Sequence, residues 1–259
     1  MKSGLRIISI IGINTFREII RDRILYGILV FAVILIGLSI ALGELSFAEQ
    51  ARISADFGFA GIQLSAVILS IFAGSTLVAR EIEKQTILTL LVRPVSRTQF
   101  LFGKFLGLAS VVTVVVAGLA ATLAGLLIYL ELGLHLSFLW ALLGILIESL
   151  ILTAMALFFG SFAKPMMTVV FTVSVFLIGH WVSSLDFFVK KSQSESFIVV
   201  GKILSATLPD LERFNWRSAP VYDTFVSISD VGITVAYGIG WIALLMIFMA
   251  LIFGRRDFV

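Results

Sequence analysis

Apolar residues in this chain do not alternate with polar ones at the period of a strand, and few stretches confine them to one stripe of a helix. They come in long unbroken runs. A hydrocarbon core about 30 Å thick takes roughly 20 apolar residues of helix to cross, and six runs qualify: Ile24 to Gly43, Phe59 to Ala79, Phe105 to Leu130, Phe138 to Phe162, Met166 to Leu185 and Val231 to Gly254. The predicted fold is an all-α integral membrane protein with six transmembrane helices. The first run is longer than the apolar core of a signal peptide and lacks a convincing small-residue cleavage site, so it is expected to remain as a span.

Four segments lie outside these runs. Residues 1–23 mix Leu5, Ile7, Ile8, Ile11, Phe16 and Ile19 with Arg6, Arg17, Arg21 and Arg23, a composition suited to an amphipathic helix lying in the membrane interface. Thr15 to Glu18 has capping-box spacing, which predicts a second helical start there. Residues 80–104 read as helix, break, helix. Ile82, Thr86, Ile87, Leu90 and Leu91 recur at helical spacing, Pro94 stops the pattern, and Ser96 to Gln99 forms an S-x-x-Q box that starts the next helix. Such an elbow suits a soluble partner that pushes on the spans, and suits a self-packed decoration equally. Residues 186–230 carry Pro209, Phe214, Trp216 and Pro220 with balanced charge and read as a small cap, with a loop at Ser192 to Glu195 and a short helix at Ile198 to Leu208. Ser229 or Asp230 is expected to cap the sixth span.

Charge orients the runs. Lys2, Arg6, Arg17, Arg21, Arg23, Arg80, Lys84, Arg93, Arg97, Lys104, Lys164, Arg255 and Arg256 fall on one side, thirteen in all, against six on the other. Five of those six sit in one long loop, where the positive-inside rule is weak, so both termini are expected in the cytoplasm of a cell-membrane protein. The sequence pI near 9.3 therefore reports topology and not nucleic acid, the net charge being only +3. With 59% hydrophobic and 14% charged residues, against about a quarter charged in soluble domains, composition agrees with the runs. No cysteine is present, which removes disulfides, thiolate metal sites and cysteine nucleophiles.

Enzymatic signatures are missing from the sequence. Gly103-Lys104 is followed by Phe105 with no glycine at the needed upstream position, so no phosphate-binding loop is encoded. His135 and His180 are far apart and no H-E-x-x-H occurs, leaving no metal ligand set to name. Ionisable residues within spans are expensive and are functional candidates by default. Glu148 and His180 each lie sixteen positions from Lys164, in the turn between spans four and five, and at about 1.5 Å per residue this puts them at similar depth. They are candidates to share a proton or line a translocation path, the alternative being that each faces a different neighbour. Gln63 in span two is the weaker candidate, suited to an interhelical hydrogen bond. Ala117, Ala121 and Gly125, with Gly103 and Gly107 before them, form a small-residue stripe for close packing, within the chain or across a dimer, the former being the commoner outcome. Trp140, Trp181, Trp241 and Tyr129 near span ends read as interfacial anchors.

The stretch Arg80 to Gly107, REIEKQTILTLLVRPVSRTQFLFGKFLG, resembles the signature region of type-2 ABC exporter permeases, most of all the group associated with multicopper-enzyme maturation. The resemblance takes in the amphipathic lead and the six spans. It implies that residues 80–104 are a coupling elbow resting in a groove of a separate ABC ATPase, with Glu81, Glu83, Thr86, Leu90, Pro94 and Arg97 carrying the contact. It implies a second permease copy as partner and no cofactor bound by this chain, ATP and magnesium belonging to the ATPase. Lipid is the remaining expected partner, with a possible extracytoplasmic one at residues 186–230. The implied function is ATP-driven export of an amphiphilic, lipid-linked or polymeric substrate. Two other readings stay open at this point: a membrane anchoring or assembly subunit without transport, and an ion-coupled secondary transporter using Glu148.

Overall fold

The computed structural model describes residues 2–44, 50–83, 96–130, 136–192, 194–222 and 224–255. Every regular element among them is helical. In chain order they are α1 (Lys2–Ile20), α2 (Arg23–Glu44), α3 (Gln50–Glu83), α4 (Arg97–Tyr129), α5 (Leu136–Gly160), α6 (Pro165–Lys191), α7 (Glu195–Thr207), a 3-10 turn (Glu212–Phe214), α8 (Ser218–Tyr222) and α9 (Ile228–Arg255).

Among the described residues, five helices are long and apolar enough to cross a membrane: Arg52–Ala79, Arg97–Tyr129, Leu136–Gly160, Pro165–Leu185 and Ile228–Phe253. Within α2, Leu25–Leu38 forms a shorter apolar helix among the described residues. α3 is longer than its apolar run. It begins at Gln50, so that Arg52 and Asp56 form its polar approach, and it continues through Glu83.

The core sits where α3 and α5 lie against each other, flanked by α2, α4, α6 and α9. Phe59, Ile62 and Leu69 of α3, Leu108, Val112 and Leu123 of α4, and Ile145 and Leu157 of α5 are fully enclosed. The outward faces carry apolar residues such as Val114, Leu139, Val170, Ile239 and Phe248, as lipid requires of a membrane bundle.

Local signals act as their chemistry dictates in some places and not in others. Ser96 caps α4: its hydroxyl accepts from the Gln99 amide, and the Gln99 side chain accepts from the Ser96 amide at 3.1 Å. Pro165 occupies the first turn of α6, where its missing N–H leaves no donor unpaired. The expected helical start at Thr15 does not occur. α1 runs unbroken through it, and Thr15 is buried mid-helix, because that position faces Gly107 of α4 and tertiary packing overrides the capping spacing. Likewise α9 begins at Ile228, which puts Ser229 and Asp230 inside its first turn instead of at the cap.

The small residues of α4 divide into two sets. A Cβ on Gly103 would come within 2.6 Å of Ile11, and one on Gly107 within 2.6 Å of both the Gly12 carbonyl and Thr15. Only glycine lets α1 lie that close. Ala117, Ala121 and Gly125 are exposed, and among the described residues nothing lies within 4 Å of a Cβ on Gly125.

Candidate functional site

Three side chains from three different helices meet in the interior of the bundle. Gln63 of α3 donates from Nε2 to Glu148 Oε2 at 2.7 Å, and His180 Nε2 of α6 lies 3.5 Å from Glu148 Oε1. Glu148 is 1% exposed and Gln63 6%, and among the described residues Glu148 Oε1 has no hydrogen-bond partner. Several neighbouring buried hydroxyls behave otherwise, bonding back to their own helices: Ser65 to Gly61, Ser149 to Ile145, Thr153 to Ser149 and Thr172 to Thr168. What sets Gln63, Glu148 and His180 apart is polar contact between helices.

The ring of His180 is oriented by its other nitrogen. Nδ1 lies 3.1 Å from the Phe176 carbonyl, which can only accept, so Nδ1 carries a proton. Nε2 therefore faces Glu148 either as a bare lone pair or as a second N–H. Nε2 is within ion-pair distance of Glu148 Oε1 at 3.5 Å, without a hydrogen bond between them.

A short segment packs beside this cluster, against Gly144 of α5 and Gly179 of α6. Pro209 to Phe214 inserts between α5, α6 and α9, with Leu211 and Phe214 fully buried. Each of the three helices offers a glycine where the segment touches it. A Cβ on Gly144 of α5 would run into the Phe214 carbonyl, one on Gly179 of α6 would lie 2.8 Å from Leu211 Cγ, and one on Gly238 of α9 would run into Ile147 of α5 and lie 3.2 Å from the Phe214 ring. The Leu211 amide donates to the Gly179 carbonyl at 3.0 Å, the Asp210 amide to the Tyr237 hydroxyl at 2.9 Å, and Ser183 Oγ to Asp210 Oδ2 at 2.8 Å. The cap expected for residues 186–230 is thus partly a re-entrant plug.

At the other end of the bundle, the start of α4 is tied on both sides. Arg97 donates from Nη1 to the Phe253 carbonyl near the end of α9 at 2.9 Å. Lys104, 5% exposed, pairs with Glu18 of α1 at 3.3 Å and lies 5.7 Å over the Phe100 ring. Phe100 in turn stacks with Phe253 at 6.3 Å. The start of α4 is thus joined to both α1 and α9.

Residues 10–258 match the family described as ABC-2 family transporter protein. The chain belongs to the ABC-2 transporter family. No curated protein matches it. Membership makes it a multi-pass membrane subunit of an ABC transporter, and implies an ABC ATPase as partner and a paired arrangement of permeases.

Of the residues singled out in the sequence, Gln63, Glu148 and His180 come together in one cluster. Glu81 and Glu83 fall in the last turn of α3, and Arg97 opens α4. Thr86, Leu90 and Pro94 lie outside the described residues. Sequence reasoning missed the three glycines and the plug they seat. Gly144, Gly179 and Gly238 in helices of otherwise bulky apolar residues were the available signal, since glycine inside a helix calls for a packing reason.

Proposed function

We infer that this ABC-2 permease crosses the membrane six times, with α2 as the first span and both termini in the cytoplasm, and moves an amphiphilic, lipid-linked or polymeric substrate outward. ATP binding by a separate ATPase drives it through the elbow at residues 80–104. The observation that carries this reading is the double tether at the base of the elbow, Arg97 to Phe253 and Lys104 to Glu18. A force applied between α3 and α4 is passed to the last span and to the interfacial helix without a slack joint.

Glu81, Glu83, Thr86, Leu90, Pro94 and Arg97 form the ATPase contact in this reading. Gln63, Glu148 and His180 line the path at mid-bundle and hold one exchangeable proton. A second permease copy completes the path. Supporting the outward direction, the plug of Pro209 to Phe214 packs beside the cluster on the side opposite the elbow, as a closed exit would.

The test is Arg97→Glu in the complex of permease and ATPase reconstituted in liposomes. The substitution removes the tether to Phe253 and reverses the charge at the start of α4. Substrate-stimulated ATP hydrolysis is expected to fall to the basal rate while the chain remains inserted. Unchanged stimulation refutes the placement of the contact.

A further inference from the structure

On the plug side of the bundle, the beginning of α3 and the segment after the 3-10 turn enclose an open cleft of about 340 Å³. Its walls carry opposite charges: Asp56 with Phe57 from α3, and Asn215, Arg217, Ser218 and Tyr222 from across it. Among the described residues, no ion pair joins Asp56 to Arg217, although both line the same space. Two facing charges that do not neutralise one another leave room for a ligand that carries both.

The cationic wall is built in advance. Glu212 Oε1 accepts from Asn215 Nδ2 at 2.7 Å, which turns Asn215 Oδ1 toward Arg217, whose Nε donates to it at 2.9 Å. With Nε engaged, the terminal nitrogens are what Arg217 has left to offer the cleft, in the fork geometry that suits a phosphate. On the other wall, Asp56 supplies an acceptor for an ammonium group, and the Tyr222 ring already holds a cation, Arg52, at 5.9 Å.

Size and setting select the ligand further. A cleft of about 340 Å³ holds a headgroup and not a whole lipid; pockets for complete small molecules run from about 300 to 1,000 Å³. Phe57 and Tyr222, which line it, are 44% and 59% exposed and offer apolar surface where acyl chains would lie. Arg52 and Asp56 form the polar approach to the apolar run of α3 that starts at Phe59, which puts the cleft at the end of that span, where lipid headgroups lie.

We propose that this cleft binds the headgroup of a phospholipid bearing a primary ammonium, with the phosphate on Arg217 and the ammonium on Asp56. The inference rests on the exporter reading only for its meaning as an exit station for an amphiphile; the binding itself requires no ATPase.

The experiment titrates the purified full chain, in maltoside micelles, with dihexanoyl phosphatidylethanolamine and dihexanoyl phosphatidylglycerol by calorimetry. The ethanolamine lipid is expected to bind more tightly. Asp56→Asn should weaken it about tenfold and leave the glycerol lipid unchanged, Asp56→Glu should keep the preference, and Arg217→Gln should weaken both about tenfold, each loss being that of one charge-assisted hydrogen bond. Competition on the unaltered chain needs no variant to fold: free phosphoethanolamine should displace the lipid at higher concentration than the lipid itself requires, and glycerol phosphate should not displace it. Equal binding of the two lipids, or an Asp56→Asn chain with unchanged ethanolamine affinity, overturns the proposal. Free phosphoethanolamine binding as tightly as the lipid overturns the lipid assignment. Loss of coupling to an ATPase with this selectivity intact overturns the exporter reading instead.

Discussion

Gly144→Ala is the sharpest probe of the plug. The added methyl meets the Phe214 backbone carbonyl and lies 3.3 Å from Trp216 Cε3, so no side-chain rotation relieves the clash and the 209–214 segment must back away. Full withdrawal would expose Leu211 and Phe214, both completely buried, at roughly 1.5–3 kcal/mol each. The hydrogen bonds from the Leu211 and Asp210 amides would add about 1 kcal/mol apiece. The seated plug thus outweighs a forced methyl, which as overpacking costs about 1–3 kcal/mol. At a factor of ten per 1.4 kcal/mol, that cost raises the withdrawn population roughly 5- to 150-fold. Because the chain contains no cysteine, Leu211→Cys gives a single reporter, read by the rate of maleimide labelling in detergent. Labelling should be slow with Gly144 present and faster by that factor with Gly144→Ala. Gly240→Ala, on the same helix as Gly238 but in open space, should leave the rate alone. Equal labelling in all three backgrounds, or the same acceleration from Gly240→Ala, refutes the glycine seat.

Two further substitutions separate packing from polar contacts. Gln63→Leu leaves Glu148 Oε2 without its donor and should lower thermal stability by about 1–3 kcal/mol; Glu148→Gln, which keeps a hydrogen-bonding partner for Gln63, should cost less, and the reverse order would contradict the assigned bond. At the α1 seam, Gly107→Val drives methyls into the Gly12 carbonyl and Thr15 and should cost about 1–3 kcal/mol. Glu18→Gln removes a partner that is 64% exposed and should cost under about 1 kcal/mol. A larger loss from Glu18→Gln would mean that charge and not close contact holds α1 in place.

The membrane-spanning helices were readable because lipid imposes a length and an apolar content that few other environments demand. Ser96 was readable because a capping box after a proline has no competing interpretation. The same spacing at Thr15 misled, since a residue inside a long amphipathic helix can satisfy the pattern while its side chain is committed to packing on Gly107. For Glu148 and His180 the sequence supplied depth, by their equal distance from Lys164, but not rotation about each helix axis. Gln63, which completes the cluster, lies 85 positions from Glu148, and no local pattern connects them. The plug was the least legible part. Six residues with no periodicity look like any loop, and their burial depends on glycines contributed by three separate spans. The exposed Ala117, Ala121 and Gly125 show the converse: small-residue spacing marks a face that permits close approach without saying what approaches.

The central claim is that this chain is the permease of a transporter whose energy comes from a different polypeptide. The tagged chain should be solubilised from its native membrane in mild detergent, purified by its tag, and the co-purifying proteins identified by mass spectrometry. An ABC ATPase of separate sequence is expected in comparable amount to the permease. Reproducible recovery of the intact permease with no ATPase would contradict the account.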